Sequence, residues 1–149
     1  CTPAAVEVCR KFPQIVEIGA GRGHWARALR DAGVAVEAYD DGSALPGRGA
    51  AVFPVIKGDG LAAVRNDPDA ALLLVFPPPT PMAVNALDAF PGRVVLYAGE
   101  PRGGANGTDA FFGALDARYY VAAAVVLDPF PGGCEKLFVL RRRRRWLFW

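Results

Sequence analysis

The sequence has little of what builds a disulfide-rich, zinc-binding or membrane-spanning protein. Its three cysteines are Cys1, Cys9 and Cys134, and none belongs to a C-x-x-C pair. This spacing predicts neither a disulfide framework nor a zinc site, and we expect no metal. The sequence also lacks an internal repeat, a secretory leader and an apolar run of membrane-spanning length. We expect an intracellular protein, with an organelle left open because Cys1 stands in place of an initiator methionine.

Positive charge is scarce outside one short segment. The 17 basic residues include five consecutive arginines at 141–145, so the rest of the chain has 12 basic residues against 15 acidic ones. The body of the protein is therefore mildly acidic, which argues against a generally basic surface for nucleic acid. With 149 residues, 52% of them hydrophobic, the chain is long enough for one globular domain with its own core. We place that domain at 1–140 and a basic, aromatic tail at 141–149.

The most informative stretch joins a short apolar run to alternating glycines. Ile15–Ile18 is rich in β-branched residues and predicts a buried parallel strand. Gly19, Gly21 and Gly23 follow, and apolar residues then recur at helical spacing over 25–32. A strand, a glycine turn and a helix N-terminus in this order present free backbone N–H groups. Such a place suits a ligand carboxylate or phosphate.

Two acidic residues give this turn a recognisable pattern. Glu17 precedes Gly19, so the motif reads E-x-G-x-G-x-G, and its third glycine comes one residue earlier than in the dinucleotide fingerprint G-x-G-x-x-G. A second predicted strand, 34–39, is followed by Asp40, and a carboxylate there can accept hydrogen bonds from both hydroxyls of a ribose. The pattern resembles the first motif of Rossmann-like S-adenosylmethionine (SAM)-dependent methyltransferases.

The resemblance extends over nearly the whole chain. Residues 119–127 and 136–140 predict two strands joined by a turn without a helix, so these strands must be antiparallel. Pro54 in the predicted strand 52–56 favours a sheet edge, and the loop 41–49 leaves little room for a helix. The resemblance implies an α/β, Rossmann-like methyltransferase fold, with a mostly parallel sheet of order 3-2-1-4-5-7-6 and a C-terminal antiparallel hairpin. The other predicted strands are 71–76 and 93–98, and the predicted helices are 4–11, 25–32, 61–65, 82–90 and 109–115.

The resemblance further implies a SAM pocket at the carboxyl ends of the strands. Three glycines would leave room for the methionine part, and one acid would orient their loop or meet the amino group. Two further acids would hold the ribose and the adenine, although the adenine-side acid also fits an ordinary turn aspartate. In that order, these residues are Gly19, Gly21 and Gly23, then Glu17, then Asp40 and Asp59.

The end of the fourth predicted strand departs from the family pattern. Amino-group methyltransferases carry [N/D]-P-P-[aromatic] here, whereas this chain reads F-P-P-P at 76–79. The resemblance implies that Phe76, Pro77 and Pro78 border the methyl acceptor, although a rigid proline turn explains them equally well. Glu100, after the fifth predicted strand, would border the same side as a base or as a solvated acid. The F-P-P motif after the fourth predicted strand and the G-E motif after the fifth resemble those of a small, poorly characterised branch of methyltransferase-like proteins.

Two other functions stay open. The altered fourth-strand motif and the tail fit a catalytically inactive methyltransferase-like subunit of a larger, RNA-containing or protein assembly. A nicotinamide-dependent oxidoreductase fits least, because the last fingerprint glycine is missing and no catalytic Tyr-Lys or Cys-His pattern is visible. Arginines in the tail can neutralise phosphates of RNA or an anionic membrane, and its aromatic rings can stack on bases or fill a protein pocket. The first arginines also fit a simple strand end. The partner-binding candidates are Arg141, Arg142, Arg143, Arg144, Arg145, Trp146 and Trp149.

Overall fold

A single sheet organises this structure, a computed structural model that describes residues 1–43, 49–128 and 131–145. Its strands are β1 (Ile15–Ile18), β2 (Val36–Asp40), β3 (Ile56–Lys57), β4 (Ala71–Val75), β5 (Val94–Gly99), β6 (Tyr119–Val126) and β7 (Lys136–Arg142). Its helices are α1 (Pro3–Cys9), α2 (His24–Asp31), α3 (Leu61–Asn66), α4 (Met82–Ala89) and α5 (Asp109–Arg118). The seven strands lie in the order β3-β2-β1-β4-β5-β7-β6. This is the Rossmann-like methyltransferase fold, and the predicted strand order is confirmed.

Because of the strand directions, the glycine turn lies at the carboxyl ends of the parallel strands, and the tail begins at their amino ends. Strands β1 to β5 run parallel, and β7 pairs antiparallel with both β5 and β6. The carboxyl ends of the parallel strands therefore meet at one edge, which is where open α/β sheets bind ligands. Arg141 of β7 lies opposite Val94, the first residue of β5. The arginines thus begin at the amino ends of the parallel strands, one strand length from the glycine turn.

Helices cover both faces because successive side chains of each strand point to opposite sides. Val16 and Ile18 belong to the core beneath α3, α4 and α5. Ile15 belongs to the core beneath α1 and α2. All four residues of β1 are buried, as expected for a strand in the middle of a parallel sheet. Glu17 is the charged residue within that buried strand, and it is only 1% exposed.

The third strand differs from its prediction. We predicted a strand over 52–56, whereas β3 is the two-residue segment Ile56–Lys57 at the sheet edge. Pro54 has no N–H to donate to a ladder, and the N–H of Val52 donates instead to the carbonyl of Arg22 at 2.9 Å. This segment consequently packs on the glycine turn before it reaches the sheet.

The remaining helices and strands lie within three residues of their predicted bounds. One difference concerns the tail, because β7 continues to Arg142, whose N–H donates to the carbonyl of Arg93 at 2.8 Å. Arg141 and Arg142, the first two residues of the predicted tail, thus belong to β7, and the division into a domain and a tail stays a prediction. Parts of the predicted loop 41–49 and of the turn after β6, together with Trp146 and Trp149, lie outside the described residues. In the described part of the chain, no helix is both long and apolar enough to cross a membrane.

Candidate functional site

The three glycines after β1 differ in the space around them. All have positive φ, at 72°, 60° and 86° for Gly19, Gly21 and Gly23, a conformation that strains other residues. A Cβ on Gly19 would lie 2.7 Å from the methyl carbon of Met82, and a Cβ on Gly23 would lie 2.7 Å from Cβ of Phe53. A Cβ on Gly21 would meet nothing within 4 Å. The fold therefore explains the absence of a side chain at Gly19 and Gly23, whereas Gly21 faces open space beside the turn.

Asp40 lies directly against this turn. Its Oδ2 accepts a hydrogen bond from the N–H of Gly21 at 2.8 Å, and its Oδ1 accepts from the N–H of Gly42 at 2.7 Å. The neighbouring N–H of Ala20 donates to the carbonyl of Tyr39 at 2.9 Å. Each carboxylate oxygen has a second lone pair, so Asp40 retains acceptors for two hydroxyls. The structure brings this acid and the turn together as predicted, and the ribose contact itself stays a prediction.

A cavity of about 440 Å³ opens beside the turn. Its volume falls in the range of small-molecule and cofactor sites. Glu17, Gly19, Gly21 and Phe76 were predicted at this site from the sequence, whereas the walls from the first turn of α2 and the end of β4 were not, and Gly23 lies outside the lining. The lining residues are Glu17, Gly19, Ala20, Gly21, Arg22, His24, Trp25, Val75 and Phe76.

Glu17 is a buried acid at the floor of this cavity. Its Oε2 is buried without a hydrogen-bond partner. Burial raises the pKa of Glu17 to about 8, the charge of Asp40 adds to that rise, and a hydrogen bond from the backbone of Ala26 opposes it. A buried oxygen without a partner is costly unless a ligand satisfies it. This oxygen is the point in the cavity where a ligand that donates a hydrogen bond would relieve that cost.

Replacing Glu17 by Gln should flatten the pH dependence of stability. The pKa of Glu17 lies near 8 in the folded chain against an ordinary 4.5, so the unfolded chain loses this proton first as the pH rises. The free energy of unfolding should fall from about pH 4.5 to about pH 8 and then level off. Thermal unfolding at a series of pH values should show a smaller slope for Glu17→Gln. The exposed acid Glu37 on β2 supplies the control, because Glu37→Gln should keep the wild-type slope, and equal slopes for all three proteins would contradict this account of Glu17.

Three predicted site acids lie outside the cavity lining, namely Asp40, which contacts the turn beside the cavity, and Asp59 and Glu100, which make other local contacts. Asp59 is exposed, and its Oδ1 accepts from the N–H of Leu61 at 3.0 Å, at the start of α3. Oε2 of Glu100 accepts from the N–H of Ala105 at 2.8 Å, so its carboxylate holds the loop that follows β5. These contacts agree with the simpler alternatives, a turn aspartate and a strand-end acid. Adenine binding by Asp59 and base catalysis by Glu100 stay predictions.

Of the proline turn after β4, Phe76 lies at the cavity, whereas Pro77 and Pro78 lie outside its lining. Phe76 lines the cavity, is 37% exposed and has a φ of 44°. A positive φ is uncommon for a bulky residue, whereas Asn and Asp adopt it far more readily. The carbonyl of Pro77 accepts from the N–H of Gly107 at 2.9 Å, and that of Pro78 accepts from Thr80 at 2.8 Å. The backbone thus holds a conformation that suits the polar residue of the [N/D]-P-P pattern, while the side chain is apolar.

The arginines at the end of β7 divide into structural and exposed groups. The guanidinium of Arg142 donates to the carbonyls of Gly92 and Phe90 and to the hydroxyl of Tyr119, at 2.8, 2.8 and 2.6 Å. Arg141 is an exposed residue of β7, and Arg143, Arg144 and Arg145 beyond it are also exposed. Arg142 therefore ties β7 to its neighbours, a role that sequence reasoning raised only as a strand end. Partner binding by the others stays a prediction.

No metal site accompanies these groups. Within residues 1–43, 49–128 and 131–145, no cluster of three or more His, Cys, Asp or Glu side chains is arranged to hold a metal ion.

Comparison with solved structures relates this fold to SAM-dependent methyltransferases. Streptococcus pneumoniae Sp1610, a candidate tRNA (m1A22) methyltransferase, matches with a TM-score of 0.63 and 13% identity over 99% of this chain and 73% of its own. Magnesium protoporphyrin IX methyltransferase of Synechocystis, solved with bound SAM, matches with a TM-score of 0.58 and 14% identity over 95% of this chain and 77% of its own. At these identities the likeness concerns the fold.

A third similar structure is longer than this chain. Mitomycin 7-O-methyltransferase MmcR matches with a TM-score of 0.53 and 20% identity over 93% of this chain. This chain covers 53% of MmcR, about half of that enzyme's length. No protein-family model and no curated protein matches the sequence.

Proposed function

We propose that this chain binds SAM in the cavity beside the glycine turn and transfers its methyl group to an acceptor. The observation that carries the proposal is the 2.8 Å hydrogen bond from the N–H of Gly21 to Asp40. It supports the proposal because it holds the acid that we predict to bind the ribose directly against the glycine turn. The sheet topology brings Gly21 and Asp40 together, because β1 and β2 are parallel neighbours whose carboxyl ends lie side by side.

The residues present fit this cofactor. Gly21 offers open space where a side chain would stand, and the backbone around it would hold the methionine part. The buried, unpartnered oxygen of Glu17 would accept from the amino group, and Asp40 would accept from the ribose. SAM brings an electrophilic methyl group on a sulfonium, so the chain's own task is to bind the cofactor and align the acceptor.

The acceptor would lie against Phe76, which lines the cavity and is partly exposed. An exposed aromatic ring favours stacking on a flat acceptor. With phenylalanine at this position, a side-chain amide or carboxylate would not hold the acceptor here. The named substrates of the similar structures are chemically diverse, a tRNA, a porphyrin and mitomycin, so the fold leaves the acceptor open.

A second proposal is a catalytically inactive methyltransferase-like subunit. Two observations favour it: Phe76 replaces the polar residue of the acceptor motif, and the carboxylate of Glu100 is occupied by the N–H of Ala105. In this form the exposed arginines Arg143, Arg144 and Arg145 would bind the phosphates of an RNA in a larger assembly. They lie at the end of the sheet away from the cavity. They would therefore bind a partner at a distance from the cavity and would not position a reacting atom in it.

Calorimetric titration tests the cofactor. We expect S-adenosylmethionine and S-adenosylhomocysteine each to bind at one site and raise the midpoint of thermal unfolding, and NADH to give neither heat nor shift. Binding followed by release of S-adenosylhomocysteine with an added acceptor would favour the enzyme. Binding without turnover over RNA, protein and small aromatic acceptors would favour the inactive subunit. No binding of either adenosyl compound would refute the SAM site.

A further inference from the structure

Strand β6 is an exposed apolar edge. It ends the sheet on the side opposite β3, and among the residues that the structure describes it pairs with β7 alone. After Tyr119, its side chains are exposed or half-buried along the whole strand. Tyr120, Val121 and Val126 are 46%, 57% and 55% exposed. These three are among the five exposed large hydrophobic residues of the described chain, so exposed apolar surface is concentrated on one strand.

This edge has few of the features that keep edge strands from pairing. An edge presents unpaired N–H and C=O groups, and soluble proteins usually protect it with charged residues, proline or a bulge. The eight residues of β6 contain neither a charged residue nor a proline. One irregularity in pairing with β7, between Val121 and Ala123, is its protective feature. The strand is therefore a template for main-chain pairing with another strand.

Apolar surface continues from the strand onto the adjoining face of the sheet. A groove of about 350 Å³ lies between β6, β7 and α5. Tyr97, Phe112, Phe138 and Val121 line it. A strand of eight residues is about 27 Å long and narrow by itself. The groove adds apolar surface beside the strand, and Arg102, Asp116 and Arg143 also line it.

We propose that β6 pairs antiparallel with β6 of a second copy of this chain. The strand is neutral, so self-pairing opposes no like charges along its length, and at its centre Ala122, Ala123 and Ala124 place no bulky side chain beside the two-fold axis. The two ends carry opposite charges, Arg118 before the strand and Asp128 after it.

An antiparallel arrangement brings the start of one strand beside the end of the other. Each Arg118 then approaches Asp128 of the partner copy, twice across a two-fold axis. Arg118 also pairs with Asp88 at 2.7 Å through one of its nitrogens, so in the dimer its guanidinium would bridge Asp88 and Asp128 of the partner copy. This complementarity favours a second copy over an unrelated strand.

Sedimentation equilibrium over a hundredfold range of concentration tests the proposal. We expect the apparent mass to rise from 15.8 kDa to twice that value. Ala123→Lys places two ammonium groups near the two-fold axis and should keep the chain monomeric, with an unchanged circular dichroism spectrum because Ala123 is exposed. The control Ala62→Lys, on exposed α3 surface, should leave the dimer unchanged.

Asp128→Asn gives a second, milder test. Asp128 has a φ of 47°, which Asn also tolerates, so the fold should be unaffected. Loss of both intermolecular charge pairs should raise the dimer dissociation constant about fivefold. A wild-type chain that stays monomeric at the highest concentration would overturn the proposal. So would a folded Ala123→Lys variant that dimerises like wild type, or an Asp128→Asn variant with wild-type affinity.

Discussion

Gly21→Val should abolish SAM binding while the chain stays folded. A side chain at this position meets no protein atom within 4 Å, so it would extend into the space that we assign to the cofactor. We expect at least about a hundredfold loss of affinity, equivalent to about 2.7 kcal/mol. The cost to the fold is limited to the positive φ, of the order of 1–2 kcal/mol.

Gly33 supplies the matched control for this variant. It also has a positive φ, 85°, and a Cβ there also meets nothing within 4 Å, but it follows α2 away from the cavity. Gly33→Val should therefore lose a similar amount of stability and retain SAM affinity. Calorimetry and thermal unfolding of both variants separate the two effects. Equal affinity of Gly21→Val and wild type would show that the turn does not contact the cofactor.

Arg142→Ala should destabilise the chain by about 3 kcal/mol. The substitution removes three hydrogen bonds and leaves the carbonyls of Phe90 and Gly92 and the hydroxyl of Tyr119 without this partner. It also removes a guanidinium that lies 4.8 Å from the centre of the Tyr119 ring. Unsatisfied buried polar groups cost about 1–3 kcal/mol each. For a domain of this size, the midpoint of thermal unfolding should fall by roughly 6–12 °C.

Its neighbours in the same run of arginines should behave differently. Arg144 is exposed, and Arg144→Ala should change stability by no more than about 0.5 kcal/mol. Arg142→Lys should recover only part of the loss, since an ammonium cannot reproduce the fork of a guanidinium. Similar unfolding midpoints for Arg142→Ala and Arg144→Ala would contradict the structural role of Arg142.

The sequence carried enough information for the fold because its strongest signals are local. The β-branched run Ile15–Ile18, the glycines behind it and the helix-free connection between the last two strands are each readable over a few residues. The pairing of Asp40 with Gly21 joins residues 19 apart, and it followed from the expectation that neighbouring parallel strands end at one edge. The prediction of the third strand was wrong because the segment around Pro54 packs on Gly23, and this packing depends on tertiary contacts that no local pattern shows.

Side-chain roles at the site were harder to predict for a related reason. A sequence shows that an acid follows a strand, but not whether it faces the cavity or bonds a nearby amide, as Glu100 and Asp59 do. Arg142 contacts the carbonyl of Gly92, 50 residues earlier, and no local pattern indicates such a partner. The sequence shows that Phe76 replaces a polar residue of the family pattern. Only the structure shows that its backbone has a positive φ.

A crystal structure of the chain with S-adenosylhomocysteine is the most direct measurement of the central claim. We expect the ligand in the cavity beside Gly21, with a ribose hydroxyl within hydrogen-bonding distance of Asp40 and the amino group near the unpartnered oxygen of Glu17. A ligand bound elsewhere, or a ribose that does not contact Asp40, would contradict it.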